Sequence, residues 1–96
     1  MLVNIERDKT THRLTVDGEM TVVNAVELRK VFADSLEGCS EVEIDLSKVS
    51  EFDSAGFQLL LALKLATQKR SKGFRVTAHS PSTTQVLSLY NMKGEF

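Results

Sequence analysis

One stretch of the chain decides the fold: Ile44-Asp45-Leu46-Ser47-Lys48-Val49-Ser50-Glu51-Phe52-Asp53-Ser54-Ala55-Gly56-Phe57. It begins with alternating apolar and polar side chains, the pattern of a strand with one buried face. It then passes through a short loop towards the longest apolar run of the sequence, residues 59–63. In open α/β sheets, functional sites form in the loops that leave the carboxyl ends of parallel strands. This loop is therefore a candidate functional site.

The same alternation occurs in three other segments, which contain Val3 and Ile5, Leu14 and Val16, and Phe74, Val76 and Ala78. Because successive residues of a strand point to opposite faces, each segment places its apolar side chains on one side. Acidic residues alternate with the core positions of the strand at 42–46 and predict a solvated opposite face. We expect four strands in a sheet that is covered mainly on one face.

Two long segments follow the helical period instead. Residues 23–37 carry apolar side chains at the spacing of an amphipathic helix and are followed by Gly38. The segment from Ser54 to Lys72 is rich in Leu and Ala and ends in cations followed by Gly73, as a helix C-terminus favours. We expect both segments to pack on the apolar face of the sheet.

A third, short helix is predicted after the last strand. Ser82-Thr83-Thr84-Gln85 has the pattern of a capping box, and Asn91 tolerates the left-handed conformation that would end the helix near Tyr90. The element order is then β-β-α-β-α-β-α. Crossovers through helices make the last three strands mutually parallel, while the opening pair can be antiparallel. The fold class is α/β, with a mixed four-stranded sheet and three helices mainly on one face.

The composition argues against several classes of function. Ninety-six residues, 42% hydrophobic and 26% charged, suit one soluble domain over residues 1–96. Twelve basic and thirteen acidic side chains give a net charge of −1, which offers no positive field for nucleic acid. The N-terminus lacks a signal-peptide pattern, and the run at 59–63 is far shorter than the ~20 residues of a membrane helix. We expect a cytoplasmic protein that does not insert into membranes.

The sequence offers no pattern for a metal, a cofactor or a catalytic group. Cys39 stands alone, and His12 and His79 lie far apart without ligand-like neighbours. Asp53 lacks the second carboxylate or the nucleophile–base set that catalysis needs. No glycine precedes Ser54 as in a nucleophile elbow, and no G-x-x-x-x-G-K-S/T phosphate loop is present. We expect no cofactor, no metal and no catalytic residues.

The start of the leucine-rich helix allows two capping registers. If Asp53 is the N-cap, Phe52 and Phe57 stand where a hydrophobic staple needs them. If Ser54 is the cap, the staple positions fall on Asp53 and Gln58, a poor pair. The first register is favoured, and it leaves the Ser54 hydroxyl free of capping and facing solvent.

A free serine at this position is a candidate phosphorylation site. The first amides of a helix are unsatisfied donors, and the helix dipole favours an anion there. Gly56 would leave the first turn uncrowded, so that a partner could approach closely. Because Glu51 and Asp53 are already negative, a phosphate of charge about −1.5 to −2 would build a repulsive field on a docking surface and leave the fold intact.

A helix that is apolar on more than one side either lies between layers or presents a surface to a partner. The candidate partner-binding residues surround the serine: Glu51, Ala55, Phe57, Gln58 and Leu61.

The residues resemble a known family, the STAS domain of anti-sigma factor antagonists. The resemblance covers nearly the whole chain and is carried by the element order and by the loop Asp53-Ser54-Ala55-Gly56 before a leucine-rich helix. Leu14-Thr15-Val16-Asp17-Gly18-Glu19 resembles the second strand of the family, and Val42-Glu43-Ile44-Asp45-Leu46-Ser47 its third.

The resemblance implies a bacterial, non-catalytic regulator whose loop serine, here Ser54, is phosphorylated by a serine kinase of the anti-sigma type with the histidine-kinase ATPase fold. A PP2C-like phosphatase would reset it, and only the unphosphorylated form would bind its target. Asp53 would orient the loop and Gly56 would permit close docking. A rival comes from STAS-like proteins that serve as accessory subunits of ABC-type lipid transporters and bind the ATPase without phosphorylation.

Overall fold

The computed structural model describes residues 2–96. The strands are β1 (Val3–Arg7), β2 (Thr11–Val16), β3 (Gly18–Met20), β4 (Glu41–Asp45), β5 (Val49–Phe52) and β6 (Gly73–Ala78). The helices are α1 (Ala25–Ser35), α2 (Ser54–Lys69) and α3 (Pro81–Leu89), with 3₁₀ turns at Val22–Asn24 and Lys93–Glu95.

The main sheet has the order β1-β2-β4-β6. The pair β1–β2 is antiparallel, whereas β2, β4 and β6 are mutually parallel, so the predicted mixed four-stranded sheet is confirmed. Leu14 lies opposite Ile5 on one side and Ile44 on the other. Both Leu14 and Ile44 are fully buried, which places the core under the helices.

The opposite face of the sheet is polar, as predicted. Glu43 at its centre pairs with Arg13 at 3.0 Å and with Arg75 on the other neighbouring strand. Partial burial opposes ionisation of this carboxyl, but the hydrogen bonds from Arg75 and Arg13 outweigh burial and lower the pKa of Glu43. Helices therefore cover one face and ion pairs cover the centre of the other.

A second, two-stranded sheet was not predicted. In it β3 pairs with β5 in parallel, with Met20 opposite Phe52. Both side chains are buried, which joins this small sheet to the core. The strands have three and four residues, too few to display an alternation that could be recognised in the sequence. This sheet carries the chain directly into α2.

The helix boundaries differ from the prediction by a few residues, and α1 spans Ala25–Ser35 instead of residues 23–37. The capping box of α3 begins at Ser80 and closes on Thr83, with Pro81 in the first turn, so the expected box at Ser82–Gln85 was wrong by two residues. Helix α2 ends at Lys69 because Ser71 adopts the left-handed conformation with φ of 56°. Asn91, with the same φ, follows the end of α3 as predicted.

Candidate functional site

Asp53 connects two elements at the start of α2. As the N-cap, it accepts a hydrogen bond from the Gly56 amide through Oδ1 at 3.0 Å. Its other oxygen, Oδ2, accepts from the Val22 amide at 3.1 Å. The favoured capping register is the one observed. The second bond, which the sequence did not suggest, ties the beginning of α2 to the turn that leads into α1.

These bonds also fix the charge of Asp53. Partial burial opposes ionisation, but hydrogen bonds from the amides of Gly56 and Val22 outweigh it and lower the pKa of Asp53. The carboxylate is therefore anionic at neutral pH and stands immediately beside Ser54.

Ser54 is the first residue of α2, and its side chain is exposed. Asp53 supplies the capping oxygen, so the Ser54 hydroxyl is not needed to satisfy the helix end. The hydroxyl is accessible to solvent and stands at the helix end where the dipole of α2 favours an anion.

The expected role of Gly56 in partner docking is wrong. A Cβ atom at this residue would lie 2.1 Å from the carbonyl oxygen of Met20 and 3.0 Å from a ring carbon of Phe52. Gly56 thus faces the interior, where it lets α2 pass close to the backbone of β3. It supports the loop from inside, and no partner can approach this side.

The candidate partner-binding residues divide into two groups. Glu51 and Gln58 are exposed and Ala55 is half-buried, so these three remain accessible near the start of α2. Phe57 is turned inward instead, stacked on Tyr90 with 4.7 Å between ring centroids.

The Phe57 ring also meets Phe96 edge to face at 6.4 Å, which occupies it within the chain. Leu61 is half-buried one helical turn after Phe57, on the same side of α2. Contacts within the chain therefore hold the Phe57 ring, and its part in docking stays a prediction.

An exposed apolar patch beside the serine was not predicted from the sequence. Val22, Val23 and Val26 are 70%, 78% and 85% exposed. The hydrogen bond from the Val22 amide to Asp53 places this valine patch next to the start of α2. A signal was present in the sequence, because these valines lie off the apolar stripe that Leu28 and Phe32 define.

Two further carboxylates stand close to each other near the loop. Glu19 on β3 and Glu51 on β5 are partners across the small sheet. A hydrogen bond to Glu51 and repulsion from its charge raise the pKa of Glu19. The site therefore carries local negative charge before any modification of Ser54.

Within residues 2–96, no group of three or more His, Cys, Asp or Glu side chains converges in a way that could hold a metal ion. None of the helices in the described part of the chain is long and apolar enough to cross a membrane.

The fold is that of the small α/β STAS domains. It has a mixed sheet, helices on one face of that sheet and an exposed serine at the start of α2. A family model described as "Mlab, STAS domain" matches residues 3–94, and the chain belongs to this family.

Solved structures with the same fold support the assignment. An anti-sigma factor antagonist from Mycobacterium paratuberculosis is 26% identical, with a TM-score of 0.83 over 98% of this chain and 80% of that one. The anti-sigma factor antagonist SpoIIAA in its unphosphorylated form is 16% identical, with a TM-score of 0.77 over 96% and 83% of the two chains. The phosphorylated Bacillus SpoIIAA is 15% identical, with a TM-score of 0.71 over 96% and 86%. Among curated proteins, no sequence matches this chain significantly.

Proposed function

We propose that this protein is a non-catalytic phospho-switch of the anti-sigma-factor-antagonist type. It binds a protein partner when Ser54 is bare and releases that partner when Ser54 is phosphorylated. The observation that carries the proposal is the exposed Ser54 hydroxyl, relieved of capping by Asp53 and surrounded by accessible side chains.

Electrostatics supports release after phosphorylation. A phosphate adds about −1.5 to −2 charge beside the anionic Asp53 and close in sequence to Glu51. Like charges brought together in a docked interface cost several kcal/mol, and each ~1.4 kcal/mol weakens binding tenfold. In the free protein Ser54 is exposed, so water screens the repulsion between the phosphate and Asp53, and the cost is concentrated in the complex.

The related structures support the kind of partner. The M. paratuberculosis protein is named as an anti-sigma factor antagonist, and SpoIIAA has the same fold in its unphosphorylated and phosphorylated forms. By analogy, the partner of this chain is a cytoplasmic anti-sigma serine kinase with the histidine-kinase ATPase fold. A PP2C-like phosphatase restores the bare serine.

The test compares Ser54→Ala and Ser54→Asp chains, each tagged and expressed at equal level in the source organism. The proposal predicts that one kinase of this type co-purifies with the alanine variant and is strongly depleted from the aspartate variant. Ser88→Asp is the matched control, since Ser88 is an exposed serine on α3. Equal recovery of the partner with both Ser54 variants would reject the switch.

Phosphorylation itself is tested by the intact mass of the wild-type protein isolated from cells. The proposal predicts a species about 80 Da heavier, the mass of one phosphoryl group, with fragmentation placing it on Ser54. A modification confined to another residue would contradict the assignment of Ser54.

The second candidate is an accessory subunit that binds the ATPase of an ABC-type lipid transporter without phosphorylation. The valine patch favours it, since its apolar character does not depend on the state of Ser54. The matching family model also carries the description Mlab rather than that of an anti-sigma factor antagonist. Co-purification of a membrane ATPase to the same extent with Ser54→Ala and Ser54→Asp would establish this candidate instead.

A further inference from the structure

An apolar groove runs between α1 and α2, starting beside Ser54. Its first part is a depression of about 400 Å³ that includes Ala25, Val26, Ala55, Gln58 and Leu59 in its lining. It continues towards the ends of the helices in a depression of about 150 Å³ that includes Phe32, Leu36, Leu63 and Ala66. Ala62 and Leu59 line both parts, so the two depressions form one groove.

The groove has the length and the small lining side chains that a docked helix requires. From Val26 to Leu36 it follows ten residues of helical rise, or about 15 Å, which matches roughly three turns of a docked helix. Alanines at 55, 62 and 66 keep its walls low, so another helix can approach to the usual ~8–10 Å between axes. The exposed Val26 extends the apolar surface at the end near Ser54.

One charge interrupts this apolar lining. Arg29 contributes to both depressions and, among the residues that the structure describes, is the only charged one in either lining. The ion pairs found within residues 2–96 do not involve Arg29. Arg29 is exposed, and a cation beside an apolar lining is complementary to a single carboxylate on an otherwise apolar ligand.

We propose that the groove binds an amphipathic helix of the protein partner, with its apolar stripe on the alanines and one Asp or Glu paired with Arg29. This inference deepens the proposed function. It rests on that function in one respect, because the docked helix belongs to the partner that phosphorylation of Ser54 releases. Ala55, in the groove lining, directly follows Ser54, so one docked partner covers both.

The charge of Arg29 argues against a second copy of this chain as the occupant. A two-fold dimer through the groove would bring the two Arg29 side chains towards each other, because the residue lies between the two depressions. Like charges facing each other in an interface are costly.

The experiment uses a yeast-displayed library of helix-biased peptides of about 16 residues, long enough for more than four turns. The wild-type chain is the bait, and the enriched peptides are then titrated against variants. We expect enriched peptides to share apolar residues at i, i+3, i+4 and i+7 and one acidic residue.

Their affinity should fall about tenfold or more for Ala62→Arg, which fills the exposed centre of the groove, and for Arg29→Glu. A peptide with Lys in place of its acid should regain binding to Arg29→Glu. Leu65→Arg is the matched control, because Leu65 is exposed on α2 but lines neither depression. Thermal unfolding checks that each variant is folded.

Three outcomes would overturn the proposal: no enrichment of acidic amphipathic peptides, equal binding by wild type and Ala62→Arg, or a wild-type dimer that Ala62→Arg converts to a monomer. The last would make a second copy the occupant. Failure of the Ser54 switch is distinguishable, because it is measured by partner release and leaves peptide binding to the groove unchanged.

Discussion

At the scale of the residue, Asp53 and Ser54 share the start of α2 in a strict division of roles. The carboxylate of Asp53 satisfies the Gly56 amide and holds the Val22 amide of the preceding turn. The serine is left with an exposed hydroxyl at the position where an added anion is best tolerated by the helix. The proposed phosphorylation of Ser54 would therefore change the surface without removing the cap.

Asp53→Ala is expected to destabilise the protein by about 1–2 kcal/mol, because it removes the cap and the link to Val22. Asp53→Asn retains one accepting oxygen, so it should lower the stability by less than Asp53→Ala does. Chemical denaturation of both variants measures the difference. If alanine costs no more than asparagine, the two hydrogen bonds do not stabilise the fold.

Asp53 should also make the stability of the protein depend on pH. The pKa of Asp53 is lower in the folded than in the unfolded chain, where an aspartate titrates near pH ~3.9. The contribution of ionised Asp53 to the free energy of unfolding is therefore complete above that pH. It is lost as the pH falls through the pKa of Asp53 in the folded chain. Asp53→Asn should flatten the acid limb of a stability–pH curve relative to wild type. An unchanged acid limb would contradict this.

Gly56→Ala should destabilise the protein by about 3 kcal/mol, because the new methyl group would meet the Met20 carbonyl oxygen at 2.1 Å. Gly94→Ala is the control, since no atom of a non-adjacent described residue lies within 4 Å of where its methyl group would stand. A thermal scan of both variants decides the point, and a neutral Gly56→Ala would mean that α2 does not approach β3 as described.

At the scale of the element, the small β3–β5 sheet carries an electrostatic cost. Glu19 and Glu51 lie opposite each other, and their interaction raises the pKa of Glu19. For an acid, a folded pKa above the unfolded value means that stability falls as the pH rises through that interval.

Glu51→Gln should therefore raise the melting temperature at neutral pH and have no such effect at acidic pH, where Glu19 is protonated. Glu6→Gln on the edge strand β1 is the control for loss of one acidic charge. Calorimetric scans at two pH values make the comparison. An equal gain at both pH values would show that repulsion between these carboxylates is not the cause.

The same elements show why some features could be predicted and others could not. Strands with five or six residues and alternating side chains, such as β2 and β4, reveal their buried face in the sequence. The short β3 does not, and Gly56 could be assigned correctly only after β3 was known to pass beside it. The start of α3 was misplaced because Ser80 and Ser82 both lie three residues before a side chain able to close a capping box.

At the scale of the whole molecule, the local sequence predicts the arrangement at the start of α2 but not the surfaces that lie beside it. The serine, the cap and the apolar helix lie within one stretch of chain, so their arrangement follows from capping rules. The valine patch and the α1–α2 groove depend on how distant segments meet, which only the tertiary structure provides. Together they place exposed apolar surface near the Ser54 hydroxyl.

The central claim is that phosphate on Ser54 releases the partner. The most direct measurement is the affinity of the partner isolated with Ser54→Ala for two purified chains, one unmodified and one carrying phosphoserine at position 54. We expect the phosphorylated chain to bind about a hundredfold or more weakly, with an unchanged circular dichroism spectrum. Equal affinity of the two chains would contradict the account.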